Sequence, residues 1–318
     1  MTPDRPIFVV GAPRSGTTLV QCILSANSRA YSLPETHFFS IVLPALDVDF
    51  DAPLTPEQVA RAHALLTDEA ELDLPPLPPT GTARELLLAL FDAFRPDDDP
   101  RRARVVEKTP LHVEHVPLIG AVFPDATFIH VVRNPVDVVS SWLRVPFAST
   151  HSVISCAQSW SGAVAYGEQA AEWSPTRVRT VLYEQLVRNP ETEVSRLCGY
   201  VDLEFEPEML EEFGREASRN VGSRESWKAD IARGQILNRD QIWRERLSPG
   251  QAWLVERATA SRRRRYGYLA RSQASPLSVA QALLLEARVR FDESRGFNPV
   301  GSSLRHAASP VKLLVASR

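Results

Sequence analysis

The chain has 318 residues, of which 44% are hydrophobic and 24% are charged, and its formal net charge is −3. This composition is typical of a globular protein with a sizeable core, and the small net charge argues against nucleic acid as a partner. Three cysteines without metal-ligand spacing favour a reducing compartment, no apolar run approaches the ~18 residues of a membrane span, and no signal peptide is visible, so we expect a cytoplasmic protein.

The first predicted elements are a strand, a tight loop and a helix within residues 5–30. Pro6–Val10 is an apolar run typical of a buried strand, and residues 19–25 continue as a helix. Between them, residues 11–18 read Gly-Ala-Pro-Arg-Ser-Gly-Thr-Thr, which has the glycine spacing of a phosphate-binding loop but carries Thr17 where such loops have lysine. A chance turn with this spacing is the alternative.

A strand, a tight loop and a helix N-terminus together predict an anion site, because unpaired backbone N–H groups and the helix dipole point to the same place. Side chains of this loop add hydroxyl donors and one fixed positive charge. The residues predicted to hold a phosphate here are Arg14, Ser15, Gly16, Thr17 and Thr18.

Residues 38–104 are predicted to be a helical insertion, with helices over 55–71 and 82–94. Thr55 followed by Pro56 is a plausible helix start. The proline cluster at 75–79 and the acidic run at 97–100 are predicted connectors. An insertion beside an anion site is a natural substrate-binding cap, and a peripheral helical pair is the alternative.

Three more short strands are predicted at 105–106, 127–132 and 178–182, with helices between them, including 136–144 and 151–173. This alternation predicts an α/β fold with right-handed crossovers and a parallel sheet. Within the long helix, Trp160 and Tyr166 are expected in the core.

Arg133 follows the strand at 127–132 directly, at a position where open α/β sheets bind their ligands. A kinase-type protein would need lysine at position 17 and an acidic residue at a strand end to organise Mg²⁺. Arginine here instead favours a second phosphate and no obligatory metal, and a surface ion pair is the alternative for Arg133.

Four segments, in order, resemble the sulfotransferases that use 3′-phosphoadenosine 5′-phosphosulfate (PAPS). Residues 11–18 resemble their 5′-phosphosulfate loop, residues 131–141 their 3′-phosphate motif, residues 107–110 the short motif between these two, and residues 183–191 with Leu197-Cys198 a fourth segment near the nucleotide. The resemblance covers about residues 5–270. It implies a P-loop NTPase-like three-layer fold with a central parallel sheet and a helical insertion after the first βα unit.

The resemblance also implies the reaction: sulfuryl transfer from PAPS to a hydroxyl or amine of an unidentified acceptor, with 3′-phosphoadenosine 5′-phosphate (PAP) as product and no metal required. The acceptor would be a small molecule, a glycan or a lipid, and the Arg and Ala content is typical of a bacterial protein. Arg133 and Ser141 are implied to bind the 3′-phosphate, because eight residues of helix return Ser141 to the same side. Tyr183 is implied to lie beside the nucleotide.

Lys108 is a candidate for stabilising the leaving phosphate. Only three of the 36 Lys and Arg residues are lysines, and one of them lies in the middle of a candidate site. Lysine is a compact charge that can release a proton, whereas arginine cannot in practice. A surface lysine on a turn is the alternative, and we expect the neighbouring Glu107 to be structural.

Glu35 is the expected general base, since its position matches the catalytic glutamate of tyrosylprotein sulfotransferases, and Pro110 stands where cytosolic-type members have histidine. A cap or a hydrogen-bond partner of the 5′ loop is the alternative role for Glu35. His37 is expected to line the acceptor pocket or to be the base itself. His112 and His115 are expected to make ordinary hydrogen bonds without a metal.

Residues 218–246, by analogy, would fold over the adenine and the 3′-phosphate. The predicted sulfotransferase domain covers residues 1–271, and the four arginines at 262–265 are expected on a solvated helix end. Residues 272–318 are a predicted C-terminal extension with a helix at about 278–295 and a basic tail, which could contact an anionic lipid surface, a partner, or nothing. An oligomer contact, such as a homodimer, or a partly disordered tail is expected here. A P-loop small-molecule kinase and an inactive PAPS-binding module are the alternative functions.

Overall fold

The computed structural model describes residues 5–69, 74, 81–96, 101–145, 152–220, 231 and 233–294. In this part of the chain five strands form one sheet, in the order β2-β3-β1-β4-β5, and every neighbouring pair is parallel. The strands are β1 Ile7–Gly11, β2 Ala30–Ser32, β3 Arg104–Glu107, β4 Thr127–Val132 and β5 Val178–Leu182.

Helices connect the strands and follow the last one. The α-helices described are α1 Thr17–Ser25, α2 Leu43–Leu46, α3 Pro56–Ala64, α4 Ala83–Ala93, α5 Val116–Val122, α6 Pro135–Trp142, α7 Val153–Trp173, α8 Tyr183–Arg188, α9 Pro190–Val201, α10 Glu208–Glu211, α11 Phe213–Asn220, α12 Pro249–Ala258, α13 Ala260–Arg265 and α14 Pro276–Ser294. Single helical turns of other types cover Phe38–Val42, Leu65–Glu69, Pro110–His115 and Ile242–Glu245. No described helix has both the length and the apolar character needed to cross a membrane.

The sheet is covered on both faces. Phe8 and Val10 of β1 pack in a core with α4, α5 and α7, whereas Ile7 and Val9 pack in a second core with α1, α8 and α9. This alternation follows from the two-residue period of a strand. The result is the three-layer, P-loop NTPase-like fold predicted from the sequence, and the long apolar strand runs are explained by burial on both faces.

The predicted strands and most predicted helices are confirmed. Thr55 and Thr82 each cap a helix, and each forms a capping box with the side chain three residues later. The sequence missed β2, a three-residue edge strand that lies between the first βα unit and the helices of the predicted insertion, and Arg104 belongs to β3.

Two packing predictions are wrong. Tyr166 was expected in the core, but it lies on the solvent side of α7 and is 43% exposed, whereas Trp160 is buried as expected. Arg263 was expected on a solvated face, but it is buried and donates hydrogen bonds to the carbonyl oxygens of Glu256 and Tyr268. It therefore closes the turn after α13. The predicted connectors at 75–79 and 97–100 and the basic tail lie outside the described residues.

Candidate functional site

All five strands bring a predicted site residue or loop to one edge of the sheet. Because the strands are parallel, their carboxyl ends lie at the same edge, and β1 stands where the chain reverses its direction across the sheet. Across that edge, from β2 to β5, the order is Glu35, Lys108, the loop 12–16, Arg133 and Tyr183.

The loop after β1 has the backbone of a tight anion-binding turn. Arg14 has a φ of 71° and Gly16 a φ of 104°, and the Ser15 N–H donates to the Ala12 carbonyl at 3.1 Å. Helix α1 begins at Thr17, so the N–H groups of its first turn have no acceptor within the helix. These groups and the positive end of the helix dipole favour a negative group at this loop.

The buried hydroxyl of Ser15 supports the same interpretation. Its side chain is fully buried, and among the described residues its Oγ has no hydrogen-bond partner. A buried polar atom without a partner is unfavourable, so an oxygen of a bound phosphate would satisfy it. Thr17 and Thr18 are also buried beside it. The loop residues therefore fit a phosphate.

Arg133 is held in place by backbone carbonyls and an aromatic ring. Its Nη1 donates to the Arg14 carbonyl and its Nη2 to the Arg239 carbonyl, both at 3.3 Å, and its guanidinium lies 4.3 Å from the centre of the Tyr183 ring. Such a contact with the face of an aromatic ring stabilises the cation. Its buried Nε has no partner among the described residues, so this N–H is available to an anion.

Ser141 joins the two predicted phosphate sites. It lies in α6, eight residues after Arg133, and its Oγ accepts a hydrogen bond from Arg14 Nε at 3.3 Å. The loop after β1 and the helix after β4 therefore meet directly, and the structure brings together the residues predicted for the 5′-phosphate and for the 3′-phosphate.

Asp137 was missed by the sequence reasoning. Its buried carboxylate accepts hydrogen bonds from the backbone N–H groups of Gln241 and Trp243, both at 3.1 Å. Burial raises the pKa of Asp137 to about 6, although the nearby Arg133 guanidinium opposes this shift. Tyr183 Oη also donates to the Leu237 carbonyl at 3.3 Å, so residues 237–243 are fixed beside Arg133 and Tyr183. In the sequence, Asp137 is recognisable only as an acidic residue in the first turn of a helix. Such a residue can interact with the helix dipole alone, so the pattern does not predict hydrogen bonds to a distant segment.

Additional arginines surround Arg133. Burial, together with the positive charges of Arg133 and Arg144, lowers the pKa of Arg239. Burial and the neighbouring Arg144, Arg239 and Arg133 likewise lower the pKa of Arg246. Such a concentration of positive charge favours a multiply charged anion. Of the predicted segment 218–246, residues 221–230 and 232 lie outside the described part of the chain.

Lys108, Glu35 and His37 form the other end of the site. Lys108 is 2% exposed and its Nζ forms an ion pair with Glu35 Oε1, while the Glu35 side chain is 27% exposed. His37 Nε2 lies 3.6 Å from Glu35 Oε2. Thr109 Oγ1 accepts the backbone N–H groups of Thr36 at 3.1 Å and His37 at 3.3 Å, which fixes this loop.

His37 is a strained residue with a neutral ring. Its φ of 50° lies in the left-handed region, which costs energy for a side chain other than glycine. Burial lowers the pKa of His37 although the Glu35 carboxylate opposes this, and among the described residues its buried Nδ1 has no partner. A neutral histidine with one unused nitrogen can donate to or accept from a substrate hydroxyl.

Glu107 is a structural residue, as expected. The hydroxyls of Thr36 and Thr109 donate to its Oε1 at 3.0 and 2.7 Å, and His112 Nδ1 lies 3.1 Å from its Oε2. Since His112 Nε2 accepts the Phe39 N–H, the proton is on Nδ1 and is donated to Glu107. Burial raises the pKa of Glu107, but these donors outweigh burial and lower it. The described residues contain no group of three or more His, Cys, Asp or Glu side chains that could hold a metal.

The fold is that of an α/β protein of the P-loop NTPase-like class, with a glycine-containing loop after β1 and a buried arginine after β4. A family model described as the sulfotransferase family matches residues 6–207, which is more than half of the chain. The chain belongs to the sulfotransferase family.

Two relatives and one solved structure illustrate the similarity. The chain is 26% identical over 216 residues to a protein-tyrosine sulfotransferase of Drosophila melanogaster (65% of this chain, 40% of the relative) and 26% identical over 247 residues to the omega-hydroxy-beta-dihydromenaquinone-9 sulfotransferase Stf3 of Mycobacterium tuberculosis (63% of each). The matches thus span less than two thirds of the length of these relatives. The sulfotransferase domain from the curacin biosynthetic pathway has the same fold, with a TM-score of 0.56 at 20% identity, over 84% of this chain and 99% of that domain.

Proposed function

We propose that this protein transfers a sulfuryl group from PAPS to a hydroxyl, or an amine, of an acceptor. The observation that carries the proposal is the order of groups across the sheet edge: a carboxylate, a lysine, an anion loop, a buried arginine and a tyrosine. This order corresponds to the order of parts in the reacting pair: acceptor proton, bridging oxygen, 5′-phosphate, 3′-phosphate and nucleoside.

The loop residues Arg14 to Thr18 would hold the 5′-phosphate, and Arg133 with Ser141 would hold the 3′-phosphate. Arginine suits the second position because its planar fork can donate two hydrogen bonds to one phosphate. Ser15 Oγ and Arg133 Nε, which have no hydrogen-bond partner in the part of the chain that the structure describes, support this assignment. Tyr183 would lie beside the nucleoside. PAPS, when bound, supplies sulfate already activated by its link to phosphate, and we propose no metal.

In the reaction, Glu35 takes the proton of the acceptor hydroxyl while the acceptor oxygen forms a bond to sulfur. The bond between sulfur and the 5′-phosphate oxygen breaks, and Lys108 stabilises the charge that develops on that oxygen. The products are PAP and a sulfate ester. Such a loose transition state needs positioning and electrostatic stabilisation more than covalent chemistry. His37, two residues from Glu35, would orient the acceptor.

The acceptor class stays a proposal in general terms: a small molecule, a glycan or a lipid with a reactive hydroxyl. The relatives named above act on protein tyrosine and on a menaquinone derivative, so the family alone does not fix the acceptor. We propose that the helices that follow His37, from Phe38 to Ala93, form the acceptor side. The cytoplasmic location stays a prediction from the cysteine content.

A homodimer also stays a proposal. Leu277 and Leu284 of α14 are 68% and 72% exposed and lie seven residues apart, two turns along one face. Ala282 and Glu286 bury the opposite face against the body of the protein. A second copy would cover the exposed leucines, and sedimentation of the wild type and of Leu284→Glu would measure it. A monomeric wild type would refute this proposal.

Ligand-induced thermal shifts test the main proposal. We expect PAP without Mg²⁺ to stabilise the protein and Arg133→Ala to abolish this effect, whereas Arg61→Ala, an exposed arginine on α3, serves as the control. Lys108→Ala should still bind PAP but should lose transfer of ³⁵S from labelled donor to acceptors in a cell extract. Stabilisation by ATP with Mg²⁺ alone would refute the proposal and support the kinase alternative.

A further inference from the structure

The carboxylate of Glu35 is the counter-ion of the Lys108 ammonium group. Lys108 is almost fully buried, and a buried cation is unfavourable unless an anion compensates it. Glu35 Oε1 provides that anion through a direct ion pair. The two residues with proposed catalytic roles therefore neutralise each other.

This ion pair opposes both proposed roles. A carboxylate oxygen bonded to an ammonium is a poorer proton acceptor than one that is not, because the positive charge favours the ionised form. A lysine bonded to a carboxylate likewise presents less positive charge to an incoming phosphate. Reaction therefore requires Lys108 to exchange Glu35 for another anion.

We infer that Glu35 has a second role as the counter-ion that sets the affinity for the donor, and that the donor's negative charge releases Glu35 from Lys108 so that the base becomes available only when donor is bound. This inference rests on the proposed function. It predicts that proton acceptance from the acceptor follows donor binding.

The loop geometry allows this exchange through movement of one side chain. The Glu35 side chain is about one quarter exposed, whereas the Lys108 side chain is enclosed, so Glu35 is the member of the pair that would move. The backbone after Glu35 is fixed, since Thr109 Oγ1 holds the N–H groups of Thr36 and His37. On its other side, Glu35 Oε2 already lies 3.6 Å from His37 Nε2, which offers a new hydrogen-bond partner after release.

The inference makes an unusual prediction for Glu35→Gln. If Glu35 only accepted a proton, this substitution would abolish transfer and leave nucleotide affinity unchanged. If Glu35 mainly supported the 5′ loop, the substitution would weaken nucleotide binding. If Glu35 neutralises Lys108, the variant has a free ammonium and no opposing carboxylate, so it should bind PAP about threefold to tenfold more tightly while transfer is lost.

Isothermal titration of PAP, without Mg²⁺, into the full chain tests this prediction. Glu57→Gln, an exposed glutamate on α3, is the matched control for the change in net charge. We also expect Glu35→Gln to gain less in a Lys108→Met background, because the effect acts through the ammonium. Glu35→Ala, which lets water reach Lys108, should bind PAP as tightly as Glu35→Gln and replaces it if the glutamine variant does not fold.

The outcomes separate the inference from the function on which it rests. Tighter PAP binding by the Glu35 variants than by Glu57→Gln supports the inference. Unchanged or weaker PAP binding by those variants, with normal binding by wild type, overturns the inference and leaves the proposed function standing. Failure of the wild type itself to bind PAP overturns the proposed function.

Discussion

The substitution Gly16→Ala, which adds one methyl group, should disrupt the site more than the same change elsewhere. Its φ of 104° is unfavourable for any residue with a Cβ, and a Cβ built there would overlap the Tyr183 ring, with Cε2 only 2.9 Å away. Two contacts restrain Tyr183 in its position. Its ring packs against the Arg133 guanidinium, and its hydroxyl donates a hydrogen bond to the Leu237 carbonyl.

The expected loss of stability in Gly16→Ala combines two effects. A strained backbone conformation costs about 1–3 kcal/mol and overpacking costs a further ~1–3 kcal/mol, so the free energy of unfolding should fall by about 2–6 kcal/mol. Urea unfolding measures this change. The affinity for PAP should fall as well, since any shift of Tyr183 also displaces Arg133, and titration calorimetry measures that loss.

Gly162→Ala is the matched control. Gly162 lies in the middle of α7, and a Cβ built there has no described atom within 4 Å, so alanine should stabilise the helix by about 0.5–1 kcal/mol. The variant Gly16→Ala with Tyr183→Ala should recover the overpacking part only. If Gly16→Ala unfolds at the same urea concentration as wild type and binds PAP equally well, the loop geometry argued above is wrong.

Three further predictions concern buried groups. The pKa of Asp137 is raised from 3.8 to about 6, so the stability that this group contributes is present at pH 4 and is lost as the pH rises through 6. Relative to Asp137→Asn, wild type should therefore lose up to about 3 kcal/mol between pH 4 and pH 7 in urea unfolding, and a constant difference would contradict this. Glu107→Gln should destabilise the protein by about 2–4 kcal/mol, because it weakens three buried hydrogen bonds; a change below the error of urea unfolding would refute the structural role. Cys22, Cys156 and Cys198 are buried, so a thiol reagent should label none of them before unfolding, and rapid labelling of the native protein would contradict the packing.

The sequence predicts most residues of the proposed anion site because its signals are local. The glycine spacing of the first loop lies within residues 11–18, and Arg133 follows its strand directly. In a parallel sheet the carboxyl ends of all strands lie at the same edge, so residues that follow different strands are expected to lie close together. The four strands that were predicted carry enough apolar residues to be recognised without tertiary information.

The sequence could not predict the contacts between strands. β2 is three residues long and contains no distinctive pattern, so only its pairing with β3 defines it as a strand. Lys108 and Glu35 are 73 residues apart, and Asp137 is more than 100 residues from the backbone groups that it holds. Such pairs depend on strand order and register, neither of which is encoded in local spacing.

The strand order explains why lysine, rather than arginine, is suited to the central position of this edge. β3 is the neighbour of both β2 and β1, so the residue after β3 lies between the proposed base on one side and the proposed phosphate loop on the other. In the proposed reaction that residue exchanges one anion for another, and a lysine has three donors on a flexible stem, whereas the planar fork of arginine favours a fixed pair with one partner. Arg133, after β4, differs from Lys108 because it is held in one orientation by two backbone carbonyls and an aromatic ring. The choice of cation at each strand end therefore follows from whether its partner must change during the proposed reaction.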